Sequence, residues 1–479
     1  MQLALSVSAQ RGPLFRQVYS ALREAILTGG FRVGDKLPST RDLAEQLSVS
    51  RTVVLAAYDQ LLAEGFAEGR SGSGTYVASG IGGVATRPWR AEYSARLRLA
   101  RFGSAAAAAS STVTVPQQRP RALPYDFAYG RSDVELFPLE MWRRILLRCA
   151  RKMPVSGFDY GAAGGNVGLR EAISIHLRRS RAVVCDPSQI VIVNGSQQGL
   201  DLIARVLIER GDRVVIEDPG YQGTTAVLRA AGAKLLPVSV DRDGLDPTRL
   251  PTGARIAFVT PSHQFPTGAI LPLARRLALL EWAKRENAVI VEDDYDGEFR
   301  YEGRPVESLQ GLDREGRVVY IGTFSRTVFP SLRIGYLIAP TQLVPAFTSA
   351  KWLADRQTAT LEQQALAEFI SSGLYERYLR RVRRRNSARR AALLDAIETH
   401  LGGRVEVTGD GAGAHVALWP QRRIDEDALI VDAASRGVRV YGMSRYFQRR
   451  PSRPGFILGY SRTTEREIRE GIWRLGESL

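Results

Sequence analysis

Two scarcities frame this chain. Cysteine occurs twice in 479 residues, at Cys149 and Cys185. That excludes a disulfide framework and a cysteine-built zinc site, and it suits a reducing compartment. Lysine occurs five times, at Lys36, Lys152, Lys234, Lys284 and Lys351, although Lys and Arg together number 66 against 50 acidic residues. The +16 balance is therefore carried by arginine, whose guanidinium stays protonated at any physiological pH. Chemistry that needs a neutral primary amine is confined to five side chains. Also lacking is an apolar run near the ~20 residues that a membrane-spanning helix needs. The start, "MQLALSVSAQ", has neither a basic leader nor a long apolar core, so a cytoplasmic protein is expected. What is present is ordinary for a folded chain: 44% hydrophobic and 24% charged residues. The length allows two to four domains at ~100–200 residues each. The basic balance favours a polyanionic partner, although a GC-rich genome also raises arginine.

Composition divides the chain into three stretches. Residues 12–78 form a compact periodic segment. Residues 79–123 include "SGIGGVATRPW" and "GSAAAAASSTVTVPQQRPRALP". Such Gly, Ala, Ser, Thr and Pro mixtures cannot bury enough apolar surface to order themselves, so a flexible linker is expected, with a short helix near 93–101. From 124 to 479, strand-like runs such as "QIVIVNG", "RVVIEDPGY", "RIAFVTPSH", "AVIVEDD" and "RVVYIGTFS" alternate with amphipathic runs. That pattern predicts a mostly parallel sheet covered by helices. From about 355 a long helical stretch, "EQQALAEFISSGLYERYLRRVRRRNSARRAALLDAIETHL", leads into short strands, predicting a smaller α+β lobe.

Within 12–78, Leu14, Val18, Leu22, Ile26 and Leu27 recur at helical spacing until Gly29-Gly30. Ser39 can cap a second helix that buries Leu43, Ala44 and Leu47. Ser50 can cap a third, with Val53, Val54, Ala57, Leu61 and Leu62 inward and Gly65 at its end. "FAEGRSGSGTYVA" reads as two strands around a Gly-rich tip. Three helices and a hairpin describe a winged helix-turn-helix. Ser50, Arg51 and Thr52 stand at the helix end that enters the major groove in such motifs. Arg51 suits bidentate reading of guanine, and Arg41 suits a backbone phosphate. Ser71 and Gly72 let the main chain of the wing approach DNA. The same module also serves protein contacts, with these polar groups as plain caps. The string "LPSTRDLAEQLSVSRTVVLAAYDQLLAEGF…GSGTYV" closely resembles the GntR family of bacterial transcription regulators across 12–78. The resemblance implies DNA contacts by Arg41, Ser50, Arg51, Thr52, Ser71 and Gly72. Val53 stands where relatives often have a second polar residue, so their base preferences do not transfer.

In the long third stretch, several motifs follow strands, where α/β proteins bind ligands. Ser196 and Gln197 in "NGSQQGLD" open a helix whose first N–H groups suit a phosphate. Tyr221 in "EDPGY" can stack on a flat ring. Asp293 and Tyr295 in "VEDDYDGEF" can meet a pyridinium nitrogen and a ring hydroxyl. Thr323, Ser325 and Arg333 in "GTFSRTVFPSLRIGY" are further phosphate-type donors. Singly these are unspecific: a DD pair also serves magnesium or structure. In this order they resemble the aminotransferase class I/II fold, which depends on pyridoxal 5′-phosphate (PLP). With the GntR-like head, the whole chain resembles the MocR subfamily of regulators, of which "TPSHQFPTG" is typical. The resemblance implies a PLP-transferase-like body with a large and a small lobe. It implies phosphate contacts by Ser196, Gln197, Thr323, Ser325 and Arg333, and by Tyr160 toward a partner subunit. It further implies stacking by Tyr221, a ring-nitrogen contact by Asp293 and a ring-oxygen contact by Tyr295. Phe265 replaces the usual Asn at that oxygen.

One residue departs decisively. The family's "GTFSK" reads "GTFSR" here, so Arg326 stands at the position of the Lys that joins PLP covalently. A guanidinium is no amine nucleophile. Ile457, in "FILGYS", stands where aminotransferases commonly place a carboxylate-clamping Arg. The expectation is a homodimeric transcription regulator that binds an operator, senses a small ligand and does not transaminate. PLP, if bound, is held non-covalently, with no catalytic residue and no metal. The rivals are an active PLP aminotransferase with a fused DNA-binding head, and a regulator that no longer binds PLP.

Overall fold

The computed structural model describes residues 12–81, 98–110, 123–301, 307–449, 451 and 453–479, in two units divided at Arg98–Leu99. The first unit has helices Leu14–Leu27, Thr40–Gln46 and Arg51–Ala63, then an antiparallel hairpin of Ala67–Arg70 with Gly74–Val77. Ser39 Oγ accepts from Asp42 N at 3.2 Å, and Ser50 Oγ from Val53 N at 3.4 Å. Caps of this kind contribute about 1 kcal/mol each. Val18, Leu22, Ile26, Leu43, Ala44, Leu47, Val54, Ala57 and Leu61 meet in one core. Leu62 departs from the expected inward face and is 37% exposed. Successive helical residues lie ~100° apart, so Leu61 and Leu62 cannot both point inward. Tyr58, four residues after Val54 and three before Leu61, takes the place, and its hydroxyl donates to Pro38 O at 2.7 Å.

The stretch read as linker contains a helix, Arg101–Ser110, packed on helix Gln222–Ala231. Composition argued against order there, yet Ala105–Ala109 are five of the strongest helix formers in a row. Of the helix expected near 93–101, residues 98–100 are not helical, and residues 93–97 lie outside the described residues.

The large lobe is one mixed sheet. In spatial order its strands are Ile190–Val193, Gly335–Ile338, Val318–Thr323, Val289–Asp294, Ile256–Val259, Arg213–Asp218, Lys234–Asp241 and Gly244–Leu245. The five from Val318–Thr323 through Lys234–Asp241 run parallel. Gly335–Ile338 is antiparallel to both neighbours. Central strands such as Ile256–Val259 and Val318–Thr323 are buried along their whole length, as a sheet covered on both faces requires.

The small lobe is an antiparallel sheet in the order Val405–Thr408, His415–Pro420, Phe456–Gly459, Tyr441–Gly442, with helices Leu374–Leu401, Glu426–Ser435 and Glu465–Gly476. The long helical stretch is two helices, Thr360–Ser371 and Leu374–Leu401. Gly373 separates them at φ 73°, a left-handed turn that glycine adopts without strain. No helix among the described residues is long and apolar enough to cross a membrane.

Candidate functional site

On the head, Arg41, Ser50, Arg51, Thr52, Ser71 and Gly72 are all exposed. Arg51 Nε donates to Thr40 Oγ1 at 3.2 Å, tying the start of the third helix to the start of the second. At the wing, Gly72 has φ 71° and Gly74 φ 121°. Both lie where a side chain is strained, so the tip depends on glycine. Arg70 lies 4.5 Å from the Tyr76 ring centroid and pairs with Glu68 at 2.9 Å. Residues 12–78 hold seven basic and seven acidic residues. The head is therefore electrically neutral. The chain's excess positive charge lies outside it.

In the body, strand register assembles the candidate pocket. Thr323 pairs with Gly335, and Gly335 with Val193. That row brings the Thr323–Ser325 turn, the Arg333 backbone and the Ser196 helix start to one edge. Thr323 Oγ1 donates to Ser325 Oγ at 3.1 Å and accepts from Ser325 N at 3.2 Å. Arg333 has φ 52°, a strained value for a non-glycine residue, and its Nη2 donates to Asn194 O at 2.9 Å. A Cβ at Gly195 would lie 2.6 Å from that nitrogen, so glycine there admits the guanidinium. Helix Ser196–Leu207 starts at this point with no side-chain cap on its first N–H groups. Gln197 Oε1 accepts from the Tyr221 hydroxyl at 3.4 Å.

One strand further, Ile321 is in register with Asp293. Asp293 is buried, and its Oδ1 has no hydrogen-bond partner. Burial and the neighbouring Asp294 charge push its carboxyl up to about 7, against the pull of Arg326. The Tyr295 hydroxyl donates to His263 O at 2.9 Å, so its one proton is committed within the chain. Arg326 packs against Gly130, at φ 75°, where any Cβ would collide with the guanidinium. Its guanidinium carbon is 5.9 Å from the Tyr295 ring centroid. The voids here are small, about 20 Å³ between Tyr221 and Asp293 and about 10 Å³ beside Arg326 and Tyr295.

Phe265 fills the middle of an aromatic cluster, with centroids 5.7 Å from Tyr129, 5.9 Å from Tyr221 and 5.1 Å from Tyr446. Ile457 is buried in the same cluster. Tyr160 stands apart: it is 74% exposed, with Arg356 4.7 Å from its ring centroid. No hydrogen bond or ring contact among the described residues joins it to the pocket of its own chain.

Sequence reasoning passed over Tyr129, Gly130 and a buried trio, His263, Asp296 and His415. Two of the chain's four histidines meeting one carboxylate is a contact between distant segments, and only His263, inside "TPSHQFPTG", had a motif to mark it. The trio's ligand atoms lie within 4.8 Å of one another, close enough for a metal ion. In the structure they are engaged otherwise. His263 Nδ1 is 3.0 Å from Asp296 Oδ2 and its Nε2 is 3.2 Å from Gly409 O. His415 Nε2 is 3.3 Å from Pro266 O. Burial disfavours charge on both rings, yet Asp296 outweighs it at His263 and holds that pKa up. At His415 burial, reinforced by His263 and Arg326, holds it far down. The two neighbouring rings are thus pushed in opposite directions.

The fold and the two sites define a DNA-binding regulator built on an aminotransferase scaffold. The model for bacterial regulatory proteins of the gntR family matches residues 14–77, and that for aminotransferase class I and II matches residues 132–421. The chain is 40% identical over 465 residues to the probable rhizopine catabolism regulatory protein MocR of Rhizobium meliloti, covering 96% of this chain and 92% of that one. It is 34% identical to the HTH-type transcriptional regulator TauR of Rhodobacter capsulatus, covering 98% and 97%. Among solved structures, a kynurenine aminotransferase of Pyrococcus horikoshii, in complex with PMP, superposes with TM-score 0.70 at 26% identity, covering 81% of this chain and 96% of that one. The chain belongs to the GntR-type regulators that carry an aminotransferase class I/II domain, the family of MocR and TauR.

Proposed function

We propose that this regulator acts as a homodimer whose body senses a phosphorylated pyridine, PLP or a close relative, without covalent attachment and without transamination. The observation that carries the reading is the combination of Arg326 at the amine position with an intact set of donors around it. The buried, unpartnered Asp293 Oδ1 suits a protonated ring nitrogen. The uncapped start of helix Ser196–Leu207, with Thr323, Ser325 and Arg333, suits a phosphate. Tyr221, 40% exposed, is the side chain able to turn out and admit a ring into so narrow a space.

When bound to an amine, PLP withdraws electrons from the adjoining carbon, which is what aminotransferases use. Arg326 offers no amine for the attachment and no base for the proton. The buried Ile457 supplies no charge for a substrate carboxylate. What this chain's residues do is bind and orient: helix start and Arg333 hold the phosphate, Asp293 fixes the nitrogen, Tyr221 covers the face.

The dimer is supported by exposed apolar side chains around Tyr160. Val155 is 90% exposed, Phe158 77% and Leu353 76%, and Arg356 lies over both the Tyr160 and Trp352 rings. A patch of this kind marks an interaction surface, and two-fold dimers are the commonest closed assembly. The full chain is expected to run as a dimer in light scattering. Phe158→Glu combined with Leu353→Glu should shift it to a monomer; a dimer that survives both changes refutes this interface.

For DNA, Arg51→Ala should weaken operator binding by roughly 1–3 kcal/mol and relax base preference, whereas Arg41→Ala should weaken all duplexes evenly. Fluorescence anisotropy on operator and scrambled duplexes separates the two. Unchanged operator affinity in Arg51→Ala would place the recognition surface elsewhere.

A further inference from the structure

We infer that Arg326 makes the pocket select among pyridine phosphates by the atom at the 4′ position, accepting an oxygen there and refusing an ammonium. The inference rests on the reading of the pocket given above. It starts from what each side chain has left to offer. Asp293, buried and unpartnered at Oδ1, is the acceptor for a ring N–H. The substituent at carbon 4 lies para to that nitrogen, at the far end of the ring. On that side Phe265 offers no donor, and the Tyr295 hydroxyl already donates to His263 O at 2.9 Å. His415 Nε2 faces Pro266 O at 3.3 Å, and His263 is engaged with Asp296 and Gly409.

Arg326 is left. It has no hydrogen bond or ion pair with any described residue; it lies against the Gly130 backbone and 5.9 Å from the Tyr295 ring centroid, in a void that Asp296 and His415 also line. Its five N–H groups cannot accept and cannot lose their charge. A hydroxyl, carbonyl or phenolate oxygen on the ring would satisfy them. An alkylammonium at the 4′ carbon would place a second positive charge against the first in a partly desolvated site, where the other carboxylate lining the void, Asp296, is already engaged by His263 Nδ1 at 3.0 Å. A lysine, which the family's enzymes carry here, escapes that conflict by giving up its proton. Arginine does not. The substitution that abolishes attachment therefore also changes which form of the ligand the site prefers.

The test is a matched pair. Pyridoxine 5′-phosphate and pyridoxamine 5′-phosphate differ only in –OH against –NH₃⁺ at the 4′ carbon, and neither carries an aldehyde that could attach to surface lysines. Isothermal titration of the full-length protein at neutral pH should give a dissociation constant about tenfold or more lower for the hydroxyl form, from the cost of two like charges at contact distance. In Arg326→Gln the preference should shrink to near parity, through weaker binding of the hydroxyl form and stronger binding of the amine. Arg326→Lys should lie between. Unchanged melting temperature and operator affinity in the variants establish that they fold. The inference is overturned if the amine binds the wild type as tightly as the alcohol, or if the gap persists in Arg326→Gln. If neither compound nor PLP binds the wild type, the reading of the pocket falls, and this inference with it.

Discussion

Borohydride treatment of the wild-type protein with PLP should leave residue 326 unlabelled, while Arg326→Lys should gain a stable pyridoxyl group there. Borohydride traps a carbon–nitrogen double bond, which forms only from a neutral primary amine. The guanidinium nitrogens share one delocalised charge and remain protonated, so none is available. A lysine fits where the arginine stands, because Gly130 leaves room for the longer side chain and a lysine is the smaller occupant. Asp293, Ser196, Thr323 and Arg333 are unaltered by the change. The variant should turn yellow and should still transaminate poorly, because Ile457 is buried among Phe265, Trp419 and Tyr446 and leaves a substrate carboxylate without a cation. Intact mass with peptide mapping, on wild type and variant together, reads the result. A labelled lysine in the wild-type pocket would contradict the argument. An unlabelled Arg326→Lys would mean that the pocket has lost PLP altogether.

Replacing either of two adjacent aspartates should have opposite effects on stability. Asp294 Oδ2 sits 2.7 Å from Arg181 Nε and accepts from the Tyr320 hydroxyl at 2.5 Å, with both members of the ion pair buried. Arg181 also reaches Ser262 Oγ. Asp294→Ala leaves that guanidinium buried and short of its counter-charge, which should cost about 3–5 kcal/mol. Asp293 has no such partner. Its carboxyl is pushed up to about 7 from an ordinary 3.8, by burial first and by Asp294 second. The folded chain thus keeps a proton that the unfolded chain has released. Stability is lost as pH rises from the unfolded value through the folded one, and the loss is complete above it. Asp293→Asn removes this dependence. The variant should match the wild type at pH values near 4 and exceed it in the range above about 7. Urea melts of both variants at the two ends of that range check the claim. A wild type more stable than Asp293→Asn at high pH would mean that Asp293 has found a partner.

The two halves of this pair show what was legible in the sequence. "VEDDYDGEF" marks a strand end with two acids, and strand alternation says that they face opposite ways. Local reading stops there, because Arg181 is 113 residues from Asp294 and nothing nearby announces it. The GntR-like head was almost wholly readable: its helices bury residues at short spacing and its caps are local. The alanine-rich helix Arg101–Ser110 was missed because low complexity was weighed above propensity. The strand-end positions of the candidate pocket were legible through motifs, whereas Tyr129, Gly130 and His415 arrive from the chain's distant parts and carry no motif. The neutral charge of the head was hidden inside the chain-wide balance.

Because Asp293 and Asp294 share a strand, the pocket has a fixed jaw. Beneath its floor, Asp294, Arg181, Tyr320 and Ser262 bind one strand to a helix, a neighbouring strand and a loop, and a ligand's few contacts cannot shift such an anchored surface. The opposite jaw is built from pieces that meet through side-chain tips: Tyr129 and Tyr446 joined at their hydroxyls, Phe265 among them, and Gln448 N donating to Asp218 Oδ1 at 2.7 Å across the lobes. If the body takes a ligand as proposed, the anchored strand is the side expected to stay still and the tip-to-tip contacts opposite it the side expected to yield.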